Sequence, residues 1–287
     1  MGYTILADSS CDLSEEMARE LEITIVPLSV IIDGEVYAND RADLSDARFY
    51  DLLRSGKNVT TSGVNVSQME ASMTTILERG SDVLFVGFSS TLSITYKSAE
   101  TAALELRPRY PDREILTFDS RCGCLGQGLL LVKAVEAKRA GASMMEVLSM
   151  MDGLADRICH WFTVSDLHYI RRGGRISAST AILGSVLQIK PIIHLDNNCL
   201  LAISGKARGR KNAMIQLVRS MEERIDRSEV QTIYIAQADC LEDANELAAM
   251  VRAAIPVKDI VIGSIGPVMS VHGGPGTLAL FYIGGPR

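Results

Sequence analysis

The chain of 287 residues has few aromatic side chains, no surplus of positive charge and no cysteine pairs at zinc-site spacing. Aromatics are 5% of the residues against 47% hydrophobic, so the apolar content is mostly Leu, Ile, Val, Ala and Met. Whatever is buried is expected to meet aliphatic walls. Lys and Arg number 29 and Asp and Glu 35, a formal net charge of −6. The basic stripe of a nucleic-acid binder is missing, which argues against DNA or RNA as a partner. The dense basic stretches are short, Arg171-Arg172-Gly173-Gly174-Arg175 and Lys206 to Lys211, and suit a small anion or an acidic partner surface. No apolar run reaches the ~18 residues of a transmembrane helix. Asp8, Asp12, Glu15 and Glu16 are unlike the start of a secretory signal, so a cytoplasmic location is expected. The six cysteines are scattered, which predicts reduced, buried thiols. No His, Cys, Asp and Glu cluster has ligand spacing, so no metal is expected. There is no Walker loop and no pair of catalytic carboxylates, so any ATP chemistry would have to come from another protein.

What is present is a regular order of elements. At roughly 100–200 residues per domain, the length suggests two domains. In the first half, strands (Tyr3–Ala7, Asp82–Phe88, Glu114–Phe118) alternate with helices (Leu13–Leu21, Asp43–Arg54, Ser67–Arg79, Leu92–Leu106, Gly126–Ala140, Met144–Arg157). That pattern predicts an α/β domain with a parallel sheet and helices on both faces. Ile23–Ile32 reads as one long β-branched run, turning at Asp33-Gly34 into Glu35–Tyr37. The second half mixes hairpins with helices. Cys159–Val164, Ile189–Leu195, Leu200–Ile203, Thr232–Ala236, Val257–Ile265 and Leu278–Ile283 read as strands, and Ala207–Ile225 and Leu241–Ala254 as helices. This predicts a two-layer α+β domain with a mixed sheet. The boundary is expected near Arg157, giving domains 1–157 and 158–287 with the ligand between them.

Four polar loops gather in the first half: Asp8-Ser9-Ser10, Val59–Gly63, Ser89–Ser93 and Asp119-Ser120. Three follow strands, where a parallel sheet collects its function, and all four are expected to face one crevice. Ser89–Ser93 also opens a helix, whose free N–H groups and hydroxyls together make a neutral anion pocket; ordinary capping is the plainer alternative. His272-Gly273-Gly274-Pro275-Gly276 joins an imidazole to a glycine turn that permits close approach. His160, His168 and His194 sit in apolar or helical runs without a partner pattern. In the stretch 171–177, Gly173 or Gly174 ends one helix and Ser177 caps the next, or the arginines meet a phosphate or the other domain. Gly87-Phe88-Ser89-Ser90-Thr91 approaches the G-x-S-x-G elbow, and Ser89, Asp119 and His272 fall in hydrolase order. A serine hydrolase using Ser89 or Ser93 is therefore an alternative, although Thr91 replaces the second glycine.

Taken in order, the motifs resemble the DegV family of bacterial fatty-acid-binding proteins. They are Asp8-Ser9-Ser10-Cys11-Asp12-Leu13, Thr61-Ser62, Ser89 to Ala99, Asp119-Ser120, Gly126-Gln127-Gly128, Tyr169 to Ile176, Lys190-Pro191-Ile192, Arg208-Gly209-Arg210-Lys211 and His272-x-Gly274-Pro275-Gly276. The resemblance spans essentially the whole chain. It implies two domains enclosing a long-chain fatty acid in an apolar tunnel, with no other cofactor. It implies that the carboxylate is held by Thr61, Ser62, Ser93, His272 and Gly273. Ser9, Ser10, Ile94, Arg171, Gly173 and Gly174 are expected in the pocket or between the domains. The protein would be a carrier, not itself an enzyme. It would present the carboxylate to a separate ATP-dependent kinase that forms an acyl phosphate, with Arg208 as the kinase-facing residue and at most transient contact with a membrane surface. A lipid sensor without kinase chemistry is the related alternative. Two positions depart from the family pattern: Gly63-Val64 stands where Gln-Pro is usual, and Ile94 where glycine is usual.

Overall fold

The computed structural model describes residues 2–40, 42, 44–176 and 188–285. Ser177, considered above as a helix cap, lies outside them. Strand β1 (Tyr3–Asp8) ends in a 3-10 turn over Ser9–Cys11, and Ser14 caps α1 (Glu15–Glu20) by accepting the N–H of Met17. The apolar run Ile23–Ile32 is not one stretch but two strands, β2 (Thr24–Val26) and β3 (Ser29–Ile32). Pro27, which has no N–H to donate, sits at the break. Asp33 and Gly34, at φ 50° and 93°, make the predicted two-residue hairpin turn into β4 (Glu35–Ala38). Ser45 caps α2 (Asp46–Arg54). Next comes β5 (Val59–Ser62), which the sequence reads as a loop. It pairs antiparallel with β3, Thr61 opposite Val30, and its β-branched Val and Thr residues suit a pleated strand. The first half continues with α3 (Val66–Glu78), β6 (Asp82–Gly87), α4 (Thr95–Leu106), β7 (Ile115–Asp119), α5 (Leu125–Arg139) and α6 (Met144–Ala155).

The second half runs β8 (Ile158–Thr163), α7 (Leu167–Gly173), β9 (Ile189–Leu195), β10 (Leu201–Arg208) and α8 (Arg210–Arg224). It closes with β11 (Thr232–Gln237), α9 (Leu241–Ala254), β12 (Asp259–Ser264), α10 (Pro267–Gly273) and β13 (Leu278–Ile283). The helix predicted from Ala207 starts at Arg210, because β10 stays paired with β9 through Arg208, and Gly209, at φ 81°, makes the turn. His272, expected in a loop, lies in the last turn of α10.

The fold is α/β, with an N-terminal parallel sheet of order β2-β1-β6-β7 flanked by helices. A small antiparallel sheet, β4-β3-β5, stands beside it. The C-terminal sheet is mixed, of order β10-β9-β8-β13-β11-β12, with only β11 and β12 parallel. Helix α5 joins the layers. It is buried from Leu125 to Leu131 and again at Ala134 and Val135, and it packs between the N-terminal core and Tyr234, Phe281 and Ile283 of the mixed sheet. A helix apolar on nearly every side belongs in such an interior. Strand alternation divides the other residues of the mixed sheet. Cys159, Trp161, Leu278, Leu280 and Tyr282 face the core under α8 and α9. Their neighbours His160, Phe162, Ala279 and Phe281 face the opposite way, into a cavity.

Among the described residues, no helix is long and apolar enough to cross a membrane. No disulfide forms among the described residues, and five of the six cysteines are buried.

Candidate functional site

A cavity of about 360 Å³ lies where the carboxyl ends of β1 and β6 meet the small antiparallel sheet and the inner face of the mixed sheet. Its size falls in the range of small-molecule sites. Most of its wall is apolar, including Leu28, Leu92, Ile170, Leu195, Leu201 and Val268. The wall is not purely aliphatic as composition suggests, because Phe88, Phe162 and Phe281, three of the six phenylalanines, also line it.

The polar groups come from three elements. Thr61 stands on β5 and His272 on α10, and Thr61 Oγ1 lies 3.0 Å from His272 Nε2. Ser93 precedes α4, and its Oγ accepts the Thr95 N–H at 3.2 Å. Ser62 and Gly273 also line the cavity, so the five residues expected around a carboxylate share one space. The His272 imidazole is largely buried. Burial, helped by the nearby Arg175 and Arg172 charges, lowers its pKa to about 4 and keeps it neutral at ordinary pH. Its ring packs directly on Gly173, where a Cβ would sit 2.5 Å from Nδ1. Glycine is thus required at that position by close approach, although Gly173 is not itself part of the lining.

The remaining expectations divide. Ser10 and Ile94 line the cavity. Both the hydroxyl and the N–H of Ser10 go to the buried Asp8 carboxylate, which also accepts the Phe88 N–H at 2.8 Å and so ties the ends of β1 and β6 together. Ser9 faces a separate cavity of about 320 Å³, and its hydroxyl accepts the Leu28 N–H and the Asn39 amide. Ile94, 68% exposed, stands at the mouth of the main cavity. A Cβ on Gly63 would lie 3.3 Å from Ile94 Cγ1, so the two positions that depart from the family pattern touch each other. Gly174, at φ 68°, ends α7, one of the two glycines the sequence offers for that place; neither it nor the exposed Arg171 lines the cavity. Arg208 is exposed at the end of β10, also off the cavity wall.

Of the four polar loops, Asp119-Ser120 does not face the cavity. The Asp119 carboxylate accepts the N–H groups of Ser90 and Arg121 and so braces the serine loop from behind. The hydrolase arrangement does not form. Ser89 is buried with its hydroxyl 2.9 Å from Thr91 Oγ1, Asp119 is turned to backbone donors, and His272 faces Thr61.

Two further lining residues bear on the site's chemistry: His160, which the sequence reading sets aside, and Arg175, which it places only within a basic stretch. His160 accepts the Gly123 N–H at Nε2 (3.2 Å), and its Nδ1 lies 3.0 Å from the Ile158 carbonyl, which together fix a neutral tautomer. Its edge meets the Phe281 ring. Only the alternation along β8 carries that signal. Arg175 brings a guanidinium to the cavity, donating to the Leu92 carbonyl at 3.3 Å and to the Gly173 carbonyl. The donor set is therefore not free of a fixed cation, as hydroxyls and imidazole alone would be. Among the described residues, no group of three or more His, Cys, Asp or Glu is arranged to hold a metal.

A family model described as "uncharacterised protein, DegV family" matches residues 3–285. A DegV domain-containing protein of Clostridium perfringens is 41% identical over 283 residues, covering 98% of this chain and 97% of that protein. Another, of Streptococcus pyogenes, is 33% identical over 285 residues, 99% of each. Among solved structures, the chain is similar to a DegV lipid-binding protein of Thermotoga maritima, with a TM-score of 0.88, 28% identity and full coverage of both chains. It is equally similar to a DegV family protein of Thermus thermophilus described by its fatty acid binding, with a TM-score of 0.88, 28% identity and coverage of 99% of this chain and 100% of that one.

Proposed function

The chain belongs to the DegV family, and we propose that it is a cytoplasmic fatty-acid carrier. A long-chain fatty acid occupies the cavity, its tail against the apolar wall and its carboxylate at the cluster of Thr61, Ser62, Ser93, His272 and Gly273, with His272 acting through the Thr61 hydroxyl. The carrier presents that carboxylate to a separate ATP-dependent kinase, which forms the acyl phosphate, and Arg208 contacts the kinase. The chain is read as two domains, 1–157 and 158–287, with the ligand between them.

The observation that carries this reading is the joining of a long apolar wall to one cluster of hydroxyl and imidazole groups in a single cavity. A carboxylate is costly to bury without charge-assisted donors, and an acyl tail gains from every methylene removed from water. Arg175 adds the positive charge that an anion favours. The solved relatives that bind lipid or fatty acid support the same ligand class.

Native mass spectrometry of the protein with oleate tests the first step. A one-to-one complex is expected, and Thr61→Ala and Ser93→Ala should each weaken it by about 1.5–3 kcal/mol, the worth of one hydrogen bond to a charged group; His272→Ala, which leaves the Thr61 hydroxyl free to turn away, should weaken it as well. A protein that takes up no oleate would sink the reading. Addition of a cognate kinase and ATP tests the second step. Acyl phosphate should appear with the wild type and decline with Arg208→Ala while oleate binding stays intact; a lipid sensor would yield none.

A further inference from the structure

Thr95 has no part in the reading above, yet it holds one of the hydroxyls on which that reading depends. Its side chain is fully buried at the start of α4. Thr95 Oγ1 accepts the Val64 N–H at 3.3 Å and lies 3.0 Å from Ser93 Oγ. The Thr95 backbone N–H also donates to Ser93 Oγ. A hydroxyl has one hydrogen and two lone pairs. The Val64 N–H takes one lone pair of Thr95 Oγ1, and among the described residues Ser93 Oγ is the only acceptor in reach of the buried Thr95 hydrogen, which is therefore directed to it. Ser93 Oγ then receives two hydrogens, and both of its lone pairs are engaged. What remains to Ser93 is its own hydrogen, on a residue that lines the cavity. Gly63 permits this approach, since a Cβ there would lie 2.9 Å from Thr95 Oγ1 and 3.4 Å from Ser93 Oγ.

We propose that Thr95 is a positioning residue that fixes Ser93 as a pure hydrogen-bond donor, and that this polarity makes the cavity select a fatty carboxylate over a fatty alcohol of the same chain. The proposal rests on the fatty-acid reading. A carboxylate only accepts, and matches a donor whose lone pairs are already used. An alcohol brings a hydrogen of its own and finds no acceptor at Ser93, and a buried donor left unpaired costs binding energy. A site built in this way rejects the mismatched group more strongly than a merely apolar pocket does.

Affinities of the full chain for oleate and oleyl alcohol test the proposal. In the wild type, oleate binds at least about tenfold more tightly. Thr95→Val frees the Ser93 hydroxyl to rotate, so oleate affinity falls about tenfold while oleyl alcohol changes by no more than about twofold. Thr95→Ser restores the preference. In a Ser93→Ala background, Thr95→Val has no further effect on oleate. Thr95→Cys, whose thiol is a weak donor, makes the same test should the valine variant not fold. An equal loss for both ligands, an undiminished preference, or the same oleate loss without Ser93 overturns the proposal, because Thr95 then acts through packing alone. A wild type that binds no oleate overturns the fatty-acid reading and this proposal together. A wild type that binds oleate leaves the fatty-acid reading standing whatever the Thr95 variants do.

Discussion

Thr61 Oγ1 lies 3.0 Å from His272 Nε2, which joins a strand of the small antiparallel sheet to the last turn of α10. The other ring nitrogen, Nδ1, is buried against Gly173 and has no hydrogen-bond partner among the described residues. A neutral imidazole carries one proton. A buried donor without an acceptor is rarer than an idle acceptor, so the proton belongs on Nε2. It is donated to Thr61 Oγ1, and the Thr61 hydrogen is left to point at a ligand. The histidine therefore orients the threonine hydroxyl at the cavity wall.

The first prediction concerns acid stability. Burial holds the His272 pKa at about 4, below the ordinary histidine value of 6.5. Between those values the unfolded chain binds the proton and the folded one does not, so stability rises with pH across this window and is lost as pH falls through it. The full difference is about 3 kcal/mol. Urea unfolding of the ligand-free protein at pH 7.5 and 4.5 should show this loss in the wild type and a smaller one in His272→Gln. His194, also held low by burial, titrates in both proteins and cancels in the comparison. Equal losses in the two would remove His272 as the cause.

Gly173→Ala should damage binding without unfolding the chain. The new Cβ would stand 2.5 Å from Nδ1 and must push the imidazole off Thr61. Overpacking of this kind costs roughly 1–3 kcal/mol in stability. Calorimetric titration with oleate should show about a tenfold weaker complex, with the circular dichroism of the native fold retained. Unchanged affinity would mean that the imidazole tolerates displacement and does not orient Thr61.

The cavity wall should set the length of tail accepted. Ala279 on β13 faces inward beside Phe281. Ala279→Phe fills space that an acyl chain would occupy. Each methylene kept out of the apolar space forfeits about 0.8 kcal/mol. Oleate should therefore weaken about tenfold while laurate changes little, as two methylenes' worth of burial is lost only from the longer chain. A uniform loss at both lengths would place the tail elsewhere.

How much of this was legible in the sequence follows from the range of the interactions. Thr61, Ser93 and His272 stand in short motifs whose chemistry is local, and the structure does bring them to one cavity. The alternation of strands and helices likewise signals the parallel sheet, since each element carries its own periodicity. Alternation along β8 sets His160 apart from its chain neighbours but does not tell which face turns inward. Its inward direction depends on the pairing of β8 with β13, which sets it opposite Phe281. Asp119 misled for the opposite reason: its place after β7 is a crevice position, but its carboxylate turns to the backbone of Ser90 and Arg121. Val59–Ser62 reads as a loop because it is short and polar, and its strand character comes from pairing with β3, some thirty residues away in the chain.

Arg175 offers a test of the site's electrostatics that does not require a ligand. Its guanidinium spans the Leu92 and Gly173 carbonyls beside the imidazole, and after burial it is the largest influence holding the His272 pKa down. Arg175→Gln keeps a hydrogen-bonding side chain but removes the charge. The His272 pKa should then rise, because less repulsion opposes its protonation. Titration of the imidazole by NMR in the ligand-free protein reads this directly, and high salt should narrow the gap between variant and wild type, since Arg175 is exposed and its field is screened. Oleate affinity at low salt should also fall, by about fivefold, as a favourable charge leaves the anion's surroundings. An imidazole that titrates identically in both proteins would show that burial alone keeps it neutral. Arg175 would then serve only to tie the serine loop to the end of α7.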